Sequence, residues 1–126
     1  MQNKNLKEKT DLKYRAYVYA LSIIKFIDTL DKKDFTVQII ARQLLKSATS
    51  IGANIIEAQA GSTKRDFTNF FSYALKSANE SKFWLGLSRD SGKTNKDQAN
   101  ALLQETTEIA NILGSSILTL KGKRKF

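Results

Sequence analysis

Not one proline interrupts the 126 residues of this chain. Proline ends a helix most reliably, because it lacks the amide proton and its ring clashes with the preceding turn. A whole domain without it favours long helices. Of the six glycines, Gly61, Gly92 and Gly122 fall where such helices would stop, since glycine most easily takes up the left-handed backbone of a helix end.

Apolar spacing then counts the helices. From about 11 to 30, Leu12, Ala16, Tyr19, Ile23, Ile27 and Leu30 recur at steps of three and four, the mark of one apolar helical stripe. Thr10 and Asp11 mark its start, and Asp34 can cap the next helix by accepting from free amides of its first turn. That second segment, 35–60, carries Val37, Ala41, Leu44, Ala48, Ile51 and Ile55, and Gly61 stands where a left-handed cap is wanted. Its middle is rich in small residues, which let a neighbouring helix come close, so it is expected to be the most closely packed of the four. The third segment, 64–89, opens near a capping box at Thr63 and Asp66, and its stripe is Phe67, Phe71, Ala74, Ala78 and Leu85. A second box of the same kind, Thr94 with Asp97, precedes the fourth segment, 95–120, with Leu102, Thr106, Ile109, Leu113 and Leu120. Four long amphipathic segments with short connectors predict one all-α domain, an up-and-down antiparallel four-helix bundle. A flexible basic N-terminal arm and C-terminal tail flank it.

Several apolar residues fall outside these stripes: Val18, Ile24, Phe26, Ile40, Ile56, Phe70, Phe83 and Trp84. A single bundle of this size cannot bury them all, so a homo-oligomer is expected.

The chain has no cysteine and no histidine. Disulfides, thiol nucleophiles, imidazole bases and the usual zinc ligand sets are therefore excluded. A helical-bundle di-iron site normally needs histidines paired with glutamates, so Glu57 and Glu80 read as structural rather than metal-binding. The expectation is a buried polar network of Ser50, Asn54, Glu57, Ser77 and Glu80, with Arg42 or Lys46 as partners, because a buried charge is tolerated only when paired. No Gly-rich phosphate loop or nucleophile elbow is present either. No catalytic residue, cofactor or metal is expected, and the chain reads as a non-enzyme. No stretch approaches the roughly 20 apolar residues that span a bilayer, and the N-terminus lacks a signal-peptide apolar region. The expectation is a soluble, cytoplasmic protein.

Charge supplies the positive clue. Twenty-one basic residues face 12 acidic ones, for a formal net charge of +9. Basic residues gather in the arm at Lys4, Lys7 and Lys9 and in the tail at Lys121, Lys123, Arg124 and Lys125. Others are Arg42, Lys46, Lys64, Arg65, Lys76, Lys82 and Arg89. A polyanion partner accounts for them; so does a set of solvated helix faces that keep the protein dispersed.

The run from Arg42 through Ala58, with Gln43, Ser50, Ile51, Asn54, Ile55 and Glu57, followed by Phe67, Ser77 and Glu80, resembles the bacterial four-helix bundle family encoded by intervening sequences in 23S rRNA genes. Lys46, Ser47, Ile56 and Ala58 depart mildly from the family pattern. The resemblance implies a ring-like homopentamer. It also implies kinship with the accessory variability protein of diversity-generating retroelements, which looks like a basic pentamer that binds nucleic acid and a reverse transcriptase. No catalytic activity is implied.

Two functions remain open at this level. One is a nucleic-acid-binding adaptor acting through Arg42, Lys46, Lys64, Arg65, Lys82, Arg89, Lys121, Lys123, Arg124 and Lys125. The other is a protein-interaction scaffold that never touches nucleic acid.

Overall fold

Each helix begins on a side chain that answers amides left free by the first turn. In the computed structural model, which describes residues 11–122, α1 (Leu12–Asp28) starts where the Asp11 carboxylate accepts from the Lys13 amide. Asp34 accepts from the Thr36 and Val37 amides at the head of α2 (Phe35–Ala60). Thr63 accepts from the Asp66 amide at 3.0 Å to open α3 (Lys64–Asp90). Asn95 accepts from the Gln98 amide to open α4 (Lys96–Leu120).

Four end details differ from the sequence reading. The first helix stops at Asp28 rather than near 30, because Thr29 turns back and donates both its amide and its hydroxyl to the Phe26 carbonyl. Gly61 is extended, with φ −68° and ψ 147°, and the left-handed positions are Gly92 and Gly122. At Gly92 the amide donates to the Arg89 carbonyl and the Lys93 amide reaches back to Ser88, the paired bonds of a Schellman end. The fourth helix is capped by Asn95, and the Thr94 hydroxyl is buried with no hydrogen-bond partner. Only half of the first capping box forms, since the Asp66 carboxylate makes no return bond.

The four helices stand at the corners of a square in chain order. The α2–α3 seam is the most extensive, then α3–α4, then α1–α2, and the α1–α4 seam is the thinnest; the backbones of the diagonal pairs do not approach. The helix with the most neighbours is thus α3, not α2 as the small residues of the second segment suggest. Its centre is the core of Tyr19, Ile23, Leu44, Ile51, Ile55, Leu85, Ile109 and Leu113, all buried. Ala16, Ala48, Ala74, Ala78 and Ala99 are fully buried between them, and short side chains there let helices pack at close range. Phe26 and Ile40, placed outside the stripes by spacing, are buried as well, whereas Ile24, Ile56 and Phe83 are exposed.

A layer of hydroxyls crosses the middle of this apolar interior, one from each helix. Ser47 of α2 and Ser81 of α3 share a hydrogen bond of 2.8 Å, and Tyr19 of α1 and Thr106 of α4 share one of 2.6 Å. Each of Ser47, Ser81 and Thr106 has a backbone carbonyl of its own helix in reach as well. Buried polar groups cost little when every one is satisfied, and the two pairs fix the register of α2 against α3 and of α1 against α4.

Gly114 lies inside α4, and a Cβ built on it meets nothing within 4 Å. Glycine in a helix interior costs roughly 0.5–1 kcal/mol relative to alanine. Gly114→Ala is therefore expected to raise the melting temperature by a few degrees in a calorimetric scan.

Candidate functional site

No described helix is long and apolar enough to cross a membrane, and no cluster of metal-ligating side chains forms among the described residues. What the surface does offer is unneutralised positive charge. Arg42, Lys46, Lys64, Arg65 and Lys121 are exposed and Lys82 is half-buried. None of these six side chains has a hydrogen bond or ion pair among the described residues. Arg42 and Lys46 lie one turn apart on the outer side of α2, and an antiparallel bundle brings Lys64 and Arg65, at the start of α3, to the same end as Lys121, beyond α4. Lys123, Arg124 and Lys125 of the tail, like Lys4, Lys7 and Lys9 of the arm, lie outside the described residues.

Arg89 does not belong with the free cations. Its guanidinium donates to the Asp90 carboxylate at 2.8 Å and to the Asn100 side chain at 2.8 Å, tying α3 to α4. The same pair holds the Asp90 carboxyl below its ordinary range.

The expected carboxylate network is not formed among the described residues. Glu57 and Glu80 are exposed and have no partner among the described residues, while Asn54 donates to the Ser50 carbonyl and Ser50 to the Lys46 carbonyl, both inside α2. Ser77 contributes a carbonyl to Ser81. The reason is helical phase: Ile55 and Ala58 point to the core, so Glu57 between them points away, and Glu80 precedes the buried Ser81. Accordingly Glu57→Ala and Glu80→Ala should each change monomer stability by less than about 0.5 kcal/mol in a denaturant titration.

The real ionic cluster sits on the thin α1–α4 seam. Arg15 binds Glu105 through Nε at 2.8 Å and Nη2 at 2.6 Å, and reaches Glu108 at 2.7 Å. Glu105, then Glu108, push the guanidinium further toward its charged form, and Arg15 first, then Gln104, hold the Glu108 carboxyl low. At the opposite end Lys93 donates to Asp34 at 2.6 Å, linking the α3–α4 and α1–α2 connectors and lowering the Asp34 carboxyl. Sequence spacing could not find these pairs, because each joins residues far apart whose meeting depends on bundle order.

The surface also carries apolar ground. Tyr14, Tyr17, Val18, Leu21 and Ile24 are exposed on α1, and beside them an open groove of about 650 Å³ runs between α1 and α2. Its floor is small: Ala16, Ala20, Thr49, Gly52 and Ala53.

Comparison with known proteins adds one consistent relationship. Residues 8–115 match the family model described as 23S rRNA-intervening sequence protein. The chain is also similar to a crystal structure of a protein of unknown function from the S23 ribosomal protein family from Bacteroides thetaiotaomicron VPI-5482. The two are 34% identical with a TM-score of 0.78, over 85% of this chain and 98% of that one. No curated protein matches.

Proposed function

Because the chain belongs to the 23S rRNA-intervening sequence protein family, we propose that it is a non-enzymatic homo-oligomer, pentameric as the family resemblance implies, that binds structured RNA or DNA in the cytoplasm. The observation that carries this reading is the set of cations without a partner among the described residues, Arg42, Lys46, Lys64, Arg65, Lys82 and Lys121, on a chain with net charge +9. Cations that pair with no carboxylate remain available to phosphate oxygens, and assembly multiplies each of them. Contacts of this kind follow backbone shape rather than base identity, and they release condensed counterions, so affinity falls steeply with salt.

The test is a comparison of wild type with a Lys64→Ala, Arg65→Ala, Lys121→Ala triple variant on one RNA hairpin. If these three residues meet phosphates, affinity drops across all salt concentrations and the slope of log K against log salt becomes shallower by about 3. An unchanged slope would remove this end of the bundle from the interface. The scaffold reading, with no nucleic-acid contact, is favoured by the exposed apolar stripe of α1. It requires that stripe to remain accessible in the assembled protein.

A further inference from the structure

The helix α1 is held to the bundle less firmly than its neighbours. It buries four side chains, Ala16, Tyr19, Ile23 and Phe26, where α2 buries nine and α3 and α4 six each. An open groove runs along each of its flanks. One, of about 650 Å³, lies against α2, and a second, of about 310 Å³, lies against α4, where Ser22, Lys25, Phe26 and Leu102 help to line it. The outer face of α1 is apolar too, but Tyr14, Tyr17, Leu21 and Ile24 already stand in solvent, so they lose little burial when the helix leaves the bundle. The two most extensive seams, α2–α3 and α3–α4, do not involve α1.

The ties of α1 across its thin seam with α4 are the Tyr19–Thr106 bond and, one turn nearer the start of the helix, the Arg15 guanidinium, which holds both Glu105 and Glu108. The far end of α1 has the make-up of a hinge. The Thr29 and Leu30 amides bond back into α1, to the Phe26 and Ile27 carbonyls, whereas the Asp34 amide donates to the Asp31 carbonyl and the Gln38 side chain to the Lys32 carbonyl. These two groups meet between Leu30 and Asp31, a joint bridged by the exposed Lys32 ammonium, which donates to the Asp28 and Leu30 carbonyls. Beyond the joint, Asp34 is pinned to Lys93 of the α3–α4 connector. We propose that α1 is a hinged strap, latched to α4 by Arg15, that opens as one unit while α2, α3 and α4 stay folded. Opening uncovers the core faces of α2 and α4 and turns the inner stripe of α1 outward. The chain thus has a closed form and an open one that presents fresh apolar surface.

Hydrogen exchange, followed segment by segment by mass spectrometry in urea below the unfolding transition, reads such an opening directly. In the wild-type protein the amides from Tyr19 to Phe26 should exchange as one group, at least about 10-fold faster than the core amides of α2 and α3. Arg15→Gln cuts the latch at a side chain outside the core, and it should speed that group by a further factor of roughly 3 to 10 while leaving α2 and α3 unchanged. Molar salt should act on the wild type in the same direction and add nothing in the variant, because it screens the ion pairs the variant lacks. A covalent lock supplies the converse. A Cβ built on Gly52 stands 3.6 Å from the Ala16 Cβ, within the span of a disulfide, and the chain has no cysteine to compete. In the double variant Ala16→Cys, Gly52→Cys, oxidation should slow the α1 amides to the pace of α2 and α3, and reduction should release them again. Wild-type α1 exchanging no faster than α2 and α3, Arg15→Gln speeding all four helices alike, or α1 remaining fast under the closed disulfide would each overturn the strap.

Discussion

Raising the pH from 10 to 12 is expected to remove about 2 to 3 kcal/mol of stability from the bundle through one side chain, Tyr19. Burial, the largest influence, pushes its phenol up from 10.0 to about 12, against the smaller opposing effect of its bond with Thr106. The folded protein therefore holds the phenol proton more tightly than the unfolded chain does. The stabilisation is complete below pH 10 and is lost as pH rises from 10 through 12. Denaturant titrations of wild type and Tyr19→Phe over this range isolate the effect. The variant keeps the ring, and the Thr106 hydroxyl it leaves behind retains a carbonyl acceptor at Leu102. Its stability should fall less steeply over this interval, by the amount assigned to Tyr19. Parallel curves would show that the phenol is not buried as described.

The second large effect belongs to the core. Leu113 of α4 is fully buried among Ile23, Leu44, Ile109 and the other members of the central cluster. Leu113→Ala should cost about 3 to 5 kcal/mol, because the lost apolar contact is joined by a cavity that rigid helices cannot close. For a domain of this size that amounts to a drop on the order of 10–20 °C in melting temperature. A domain whose total stability is on the order of 5–15 kcal/mol would then be near its limit.

Periodicity located the helices because the signals agree at each level. Asp34 supplies a cap where the apolar stripe of α2 begins, and Val37, Ala41, Leu44, Ala48, Ile51 and Ile55 are all buried as their spacing demands. Spacing runs the first helix too long because Leu30 continues the apolar rhythm of Ile23 and Ile27 past the point where Thr29 closes the turn. Leu30 packs against the core from its edge, so apolar spacing outlasts the helix. The carboxylates depart from expectation for a different reason: apolar neighbours in sequence do not make a position buried, and phase alone places Glu57 and Glu80 outward.

The polar layer left a partial trace. Tyr19 and Thr106 occupy stripe positions, and a hydroxyl inside an apolar stripe asks for a partner. Ser47 and Ser81 carry no such mark, since serine is common on any helix face. Pairing them requires the order of the helices around the square and their relative height. The same is true of Arg15 with Glu105 and Glu108, which lie 90 and 93 residues away. The outer apolar face of α1 is visible only in part. Ile24 stands out as an apolar residue beyond the main stripe, but its company with Tyr14, Tyr17 and Leu21 depends on which face the helix turns inward.

The central claim is that the assembled protein binds nucleic acid through phosphate contacts. The most direct test is binding of purified protein to an RNA hairpin and to duplex DNA from low to high salt, with light scattering on the same samples. The account predicts an oligomer that binds both, with an affinity that falls steeply and linearly in log salt. No binding even at the lowest salt would contradict it, leaving the excess of lysine and arginine as a solubility feature and the exposed apolar stripe of α1 as the protein's working surface.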